Sequence, residues 1–87
     1  MSYNVSVERD NEQILAIYIR IRDGHAAKTV EIAEGACYAD EDEEGNLLGV
    51  EMLAPGEVQI NMAAVKEHYT HPAVREVLDR ALDTVRI

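Results

Sequence analysis

The sequence predicts an α+β fold, an antiparallel β-meander of about four strands with one or two C-terminal helices packed on its apolar face. Two patterns indicate this. Residues 14–22 and 48–53 alternate apolar and polar side chains, which is typical of strands with one buried face. Residues 72–85 instead carry apolar side chains at helical spacing. At 87 residues without Phe or Trp, the chain is expected to form a single domain, 1–87, with an aliphatic core.

The first predicted strand covers residues 14–22 and ends in a turn at Asp23 and Gly24. Asp-Gly favours a two-residue hairpin, because both central positions of such a turn take positive φ. In the resulting register most inward residues meet apolar partners, and Lys28 opposite Ile19 is the misfit. The side chains predicted to face the core are Leu15, Ile17, Ile19 and Ile21.

Two further connections complete the predicted meander, which spans residues 5–54. A second turn fits Glu34 and Gly35, and the acidic residues 40–46 form the third connection. The strand pairs across the second turn are Val30 with Ala39, Glu31 with Tyr38, and Ile32 with Cys37. After the acidic connection, the residues predicted to share the inner face are Leu48, Val50 and Met52.

The C-terminal part is predicted to be helical over residues 61–86. Residues 54–56 break the strand pattern, and Val58 with Ile60 predicts a short edge strand. Asn61 is a suitable N-cap for a brief helix, and Pro72 suits the first turn of a second one, where its missing N–H costs nothing. The apolar stripe of the second helix is expected to cover the inner face of the sheet.

Residues 40–51 match most of the loop with which EF-hands bind calcium. The candidate ligands are Asp40, Asp42, Glu44 and Glu51, with Gly45 at the sixth loop position. An EF-hand loop, however, lies between two helices, whereas these flanks have the period of strands. The alternative is a solvated hairpin loop whose acids discourage edge-to-edge association. The sequence therefore favours a hairpin and keeps calcium binding as the alternative function.

The stretch 17–53 resembles a family of small bacterial proteins filed as domain of unknown function 2283. The shared elements are IYIR at 17–20, TVEI at 29–32, DEDEEG at 40–45 and GVEML at 49–53. The chain departs from the family at Leu15, near which members carry an Asp. The family implies no activity. Its members often look like partners encoded beside small toxin-like proteins, so the resemblance implies a protein-binding, antitoxin-like role.

Other residue types that carry chemistry are few. His68 and His71 have a ligand-like spacing, but zinc needs three or four ligands, and the remaining soft candidates, His25 and Cys37, belong to the predicted sheet. Cys37 is the single cysteine and is predicted to point inward. No catalytic constellation and no phosphate-binding loop is recognisable. We therefore expect no enzyme activity and no cofactor; an uncharacterised enzyme is the third alternative.

The outward side of the predicted sheet mixes aromatic, basic and acidic side chains: Tyr18, Arg20, Thr29, Glu31, Tyr38, Glu51 and Leu53. Tyr and Arg are enriched in protein interfaces, so Tyr18, Arg20 and Tyr38 are the predicted anchors of one. The alternative is an ordinary solvated sheet face, which antiparallel sheets commonly keep.

Charge and length narrow the partners. The formal net charge of −9 disfavours nucleic acid and suits a basic protein partner. The small core makes self-association, as a homodimer, attractive. The longest apolar run, residues 14–19, is too short to span a membrane, and no signal-peptide pattern opens the chain. We expect a cytoplasmic, non-catalytic binding module.

Overall fold

The fold is a five-stranded antiparallel sheet followed by two helices, in a computed structural model that describes residues 2–53 and 55–85. The predicted α+β class, with an antiparallel sheet and C-terminal helices, is confirmed. Residues 54 and 86, at which the predicted sheet and helical segments end, lie outside the described residues. The elements are β1 (Asn4–Asp10), β2 (Gln13–Arg20), β3 (Lys28–Ala33), β4 (Cys37–Glu41), β5 (Leu47–Met52), a 3-10 turn (Pro55–Glu57), α1 (Val58–His68) and α2 (Pro72–Asp83).

β1 is not among the individually predicted strands. It pairs with β2 in an antiparallel hairpin that runs from Asn4 opposite Arg20 to Asp10 opposite Gln13. The turn places Asn11 at a φ of 56°, a left-handed conformation that Asn tolerates better than most residues. The sequence signal for β1 is weak, because only Val5 and Val7 alternate with polar residues before the charged end of the strand.

The predicted hairpin at Asp23 and Gly24 is wrong. The strand order is β1-β2-β5-β4-β3, so β2 pairs with β1 and β5, and the chain crosses to the far edge of the sheet before β3. A tight Asp-Gly hairpin needs positive φ at both residues, and only Gly24 has it, at 149°. The backbone N–H of Ile21 instead continues along β5, donating to the Leu48 carbonyl at 2.9 Å.

The second predicted hairpin is largely confirmed. Glu31 lies opposite Tyr38 and Val30 opposite Ala39, as predicted, and Gly35 in the turn has a φ of 68°. One pair differs, because Ala33 instead of Ile32 lies opposite Cys37, at a register shift in β3. The acidic stretch also joins β4 to β5 as predicted, but the connection is shorter than the predicted 40–46, because Asp40 and Glu41 belong to β4 and lie opposite Gly49 and Leu47.

Two further irregularities change which side chains face inward. A register shift in the β1–β2 pair lies at Leu15, which is 43 % exposed, so its predicted inward position is wrong. A shift in the β4–β5 pair places Leu47 in the core cluster. Leu48, predicted to share the inner face with Val50, is buried outside that cluster, and a Cβ at Gly24 would lie 3.3 Å from its Cδ2.

Only the first helix begins at another residue than predicted. Val58 and Ile60 belong to α1 and not to an edge strand, because Val58, Met62 and Val65 share one buried helical face whereas Ile60 is 70 % exposed. Asn61 lies within α1 and is buried, so its predicted N-cap position is wrong. α2 begins at Pro72 as predicted, and its buried residues are Val77, Leu78 and Ala81.

The core lies between the helices and one face of the sheet, here called the inner face. Its sheet contribution includes Ile17, Ile19, Cys37, Ala39, Val50 and Met52, all with no exposed area. Packing these side chains against α1 and α2 removes apolar surface from water on the inner face. Neither described helix is long and apolar enough to cross a membrane.

Candidate binding face of the sheet

The outer face is the side of the sheet opposite the helices, and the strand register orders its side chains into two rows. The first row crosses all five strands in the order Ser6, Tyr18, Glu51, Tyr38 and Glu31. The second row, one step along the strands, is Asn4, Arg20, Gly49, Asp40 and Thr29. The three predicted anchors therefore share this face, with Tyr18 and Tyr38 on either side of Glu51.

Tyr18 lies across the backbone of Gly49. A Cβ at Gly49 would come within 2.7 Å of the Tyr18 Cζ and 2.9 Å of the Ile19 carbonyl oxygen, so only glycine fits beneath the ring. The hydroxyl of Tyr18 donates to the Asp40 Oδ2 at 2.9 Å. Partial burial first, and then the Asp40 carboxylate, raise the pKa of the Tyr18 phenol, so its proton stays on this hydrogen bond at neutral pH.

Asp40 connects three strands on the outer face. Its second oxygen, Oδ1, accepts a hydrogen bond from the Thr29 hydroxyl at 2.9 Å, while Oδ2 accepts from Tyr18. Each carboxylate oxygen therefore has a protein donor. The geometry makes Asp40 a positioning group for the Tyr18 ring, a role that the acidic run around it conceals in the sequence.

Tyr38 and Glu51 form the open part of this face. The Tyr38 ring is half-buried, and the pKa of its phenol is raised, first by desolvation and then by the carboxylates of Glu31, Glu51 and Glu34. Glu51 is half-buried and forms no hydrogen bond or ion pair with any residue in the described ranges. A shallow cavity of about 270 Å³ opens here, lined by Tyr18, Thr29, Tyr38, Asp40 and Glu51.

Arg20 occupies the same face but is already engaged. Its Nη2 donates to the Gly24 carbonyl at 2.8 Å, and its Nε lies 3.9 Å from the Asp23 carboxylate. The guanidinium therefore binds the connection between β2 and β3, and it also lies close enough to the Tyr18 hydroxyl to lower the pKa of that phenol, against the larger effects of burial and Asp40. Of the three predicted anchors, Tyr18 and Tyr38 line the cavity beside Glu51 and Arg20 does not.

The four calcium candidates are distributed over two places. Asp40 and Glu51 belong to the outer face, whereas Asp42 and Glu44 belong to the hairpin loop. The Asp42 Oδ1 accepts the backbone N–H groups of Glu44 and Asn46, each at 2.9 Å, and Oδ2 accepts the Asn46 side-chain amide at 3.1 Å. The pKa of Asp42 is lowered, mainly by the hydrogen bonds that Asn46 donates to it. Across residues 2–53 and 55–85, no three His, Cys, Asp or Glu side chains are arranged to hold a metal ion.

Glu41 is a buried acid that the sequence reasoning missed. Its side chain is 7 % exposed, its Oε1 lies 3.4 Å from the Lys28 Nζ, and its Oε2 accepts the Tyr69 hydroxyl at 2.5 Å. Burial first, and then Glu41, raise the pKa of Tyr69. The sequence feature that pointed to this contact was Lys28, which did not fit opposite Ile19 in the predicted hairpin. In the structure Lys28 lies opposite Glu41. This contact fastens the end of α1 to the edge of the sheet.

The remaining titratable candidates have structural partners. The His71 Nδ1 caps α2 by accepting the Ala73 N–H at 3.1 Å, and His68 packs edge-on against Tyr69. Cys37 has no exposed area, and burial raises the pKa of its thiol to about 11, which leaves it protonated and unreactive at neutral pH. These residues therefore serve capping and packing.

No family model, no curated protein and no solved structure matches this chain. The resemblance of residues 17–53 to domain of unknown function 2283 therefore stays a prediction. The glycine of the GVEML stretch is Gly49, which lies beneath the ring of Tyr18.

Proposed function

We propose that this protein is a small non-catalytic binding module that engages a basic protein partner through the outer face of its sheet. One observation carries the proposal: Glu51 lies between two half-buried tyrosines and has no cationic partner among the described residues. Tyr side chains bury large areas while keeping a polar tip, which suits them to interfaces. An antitoxin-like neutraliser of a basic protein is one form of such a module.

The charge of the outer face supports a basic partner. Its rows carry Glu31, Asp40 and Glu51 on the half formed by β3, β4 and β5, and the only described cation in these rows, Arg20, is held by the chain itself. A negative face on a chain of net charge −9 accelerates encounter with a positive surface and repels phosphate backbones.

Affinity capture from the native cell tests the proposal. The tagged wild-type chain is expected to retain a basic protein, and the double variant Tyr18→Ala, Tyr38→Ala is expected to lose it. Ile60→Ala, at a residue 70 % exposed on α1, serves as the control for removing exposed apolar surface. Equal retention by all three chains, each verified as folded by circular dichroism, contradicts binding through the outer face.

Self-association is a separate proposal and needs another surface. Two outer faces brought together would oppose carboxylates of the same sign, which destabilises a dimer. The sheet edges are better suited, because β1 and β3 each pair on one side only within the described residues. Light scattering on the purified chain gives the oligomeric state, and a monomer at all concentrations contradicts the predicted homodimer.

A further inference from the structure

We propose that the cavity between Tyr18 and Tyr38 receives an arginine side chain of the partner, with Glu51 as its paired carboxylate. This inference rests on the proposed function and makes it specific. The cavity holds about 270 Å³, and Tyr18, Tyr38 and Glu51 are among the five residues that line it. It lies in the first row of the outer face, where the register sets Glu51 directly opposite both tyrosines.

The carboxylates around the cavity have different hydrogen-bonding capacity. Both oxygens of Asp40 already accept hydrogen bonds, from Tyr18 and from Thr29. Glu51 accepts none from the described residues, although it is half-buried. A half-buried carboxylate gains most from a donor that brings a positive charge, because charge-assisted hydrogen bonds are the stronger kind. Glu51 is therefore the group that selects the ligand, and Asp40 fixes the ring beside it.

Arginine fits the surroundings better than lysine. Its planar guanidinium stacks on aromatic faces and presents paired N–H groups that match a carboxylate, whereas the lysine ammonium is a compact, strongly hydrated point charge. Tyr18 and Tyr38 lie on the strands on either side of β5, so their Cα atoms are about 10 Å apart, two strand spacings. Glu51 lies between them, so one guanidinium can contact an aromatic ring and the carboxylate together.

A second copy of this chain does not supply that arginine from its own outer face. Arg20 is the arginine in those rows, and its guanidinium is bound to the Gly24 carbonyl and lies near Asp23. Binding Glu51 of another copy would cost it both contacts and would bring two acidic faces together. Together with the acidity of the outer face and the net charge of −9, this favours an arginine of a different, basic protein as the occupant.

An acetylated and amidated arginine hexapeptide is the probe, and the lysine hexapeptide is its charge-matched control. Binding is followed by NMR amide shifts of the full chain in about 0.15 M salt, where charges more than about 8 Å apart are largely screened. We expect the arginine peptide to bind more tightly than the lysine peptide, with the largest shifts at Tyr18, Tyr38 and Glu51. Equal affinity for the two peptides, or shifts centred elsewhere, overturns the proposal.

Two variants with the same change in net charge separate a cavity from a diffuse acidic surface. Glu51→Gln is expected to weaken binding of the arginine peptide about tenfold, since hydrogen bonds to charged groups contribute more than hydrogen bonds between neutral groups. Glu67→Gln, at an exposed residue of α1, is expected to change it by less than about twofold, as surface charges usually do. Equal weakening by both variants contradicts the cavity.

The proposed function can stand if the arginine inference fails. In one outcome, the double tyrosine variant loses the native partner, whereas Glu51→Gln and the wild type retain it equally. That result overturns the arginine contact and leaves the outer face as the binding surface. A peptide that binds as expected, while no native partner depends on Tyr18 or Tyr38, supports the cavity chemistry and contradicts the proposed function.

Discussion

Gly49 shows how a single residue determines the shape of the outer face. Replacement by Ala brings a Cβ within 2.7 Å of the Tyr18 Cζ and 2.9 Å of the Ile19 carbonyl oxygen. Either the ring or the strand must move, and overpacking of this kind costs about 1–3 kcal/mol. We therefore expect Gly49→Ala to lower the free energy of unfolding by that amount in urea denaturation.

Gly56 provides the matched control for this substitution. A Cβ there meets nothing within 4 Å, and its φ is not positive, so Gly56→Ala is expected to be neutral or slightly stabilising. Equal midpoints for the two alanine variants would show that the Tyr18 ring does not need the space above Gly49.

Tyr69 tests the buried acid at the end of α1. Tyr69→Phe removes the hydroxyl that donates to Glu41 and leaves a carboxylate of 7 % side-chain exposure with Lys28 alone. Loss of one partner of a buried polar group costs about 1–3 kcal/mol. The free energy of unfolding of Tyr69→Phe, measured by urea denaturation at neutral pH, should be lower than that of the wild type by this amount. Tyr3→Phe is the control, since Tyr3 is 38 % exposed and its hydroxyl donates to no residue in the described part of the chain.

The pH dependence follows from the raised pKa of Tyr69. Since its folded pKa lies above the ordinary 10.0, the contribution to stability is complete below pH 10.0 and is lost as the pH rises through the folded pKa. As the pH rises above 10.0, the free energy of unfolding of Tyr69→Phe should therefore fall less than that of the wild type. Parallel alkaline unfolding curves for the two chains would contradict the Tyr69–Glu41 contact.

At the scale of elements, the hydrogen bonds of the hairpin between β4 and β5 favour a structural turn over a calcium-binding loop. Asp42 uses both oxygens to close the turn, and the Asp40 oxygens are engaged on the outer face. Calcium would have to compete with these hydrogen bonds. Calorimetric titration is expected to give no saturable heat. A saturable heat that disappears on Asp40→Asn and on Glu51→Gln would favour the calcium alternative.

The elements differ in how much local sequence predicts them. The Gly35 hairpin follows from adjacent residues, and its pairs Glu31–Tyr38 and Val30–Ala39 are correct. The pairing partner of β2 cannot be predicted from adjacent residues. β5 lies beside β2 because of long-range packing, which the alternation of apolar and polar residues does not specify. α1 was obscured for a related reason: Val58 and Ile60 alone also fit a strand, and only burial of Met62 and Val65 reveals the helical face.

The candidate site was predictable in composition but not in geometry. Alternation along β2 and β4 places Tyr18 and Tyr38 on one face, and the sequence predicts that much. Their position on either side of Glu51 requires β5 between β2 and β4, which the predicted Asp23–Gly24 hairpin did not provide. The hydrogen bond from Tyr18 to Asp40 likewise joins residues that only the tertiary fold brings together.

At the scale of the whole molecule, the two faces of the sheet have separate roles. The inner face packs α1 and α2 and supplies the aliphatic core, so it is not open to a partner. The outer face carries Tyr18, Tyr38 and the Glu51 carboxylate, which has no partner among the described residues, on a chain whose net charge is −9. Binding a basic protein there should therefore slow with added salt, because screening weakens the attraction that steers the encounter.

The most direct test of binding through the outer face is the affinity of the captured partner for two single variants, measured by calorimetry. Tyr38→Ala is expected to weaken binding by at least about tenfold, as truncation of an interface anchor does. Ile60→Ala, on α1 behind the sheet, is expected to leave the affinity unchanged. Wild-type affinity for Tyr38→Ala would contradict binding through the outer face.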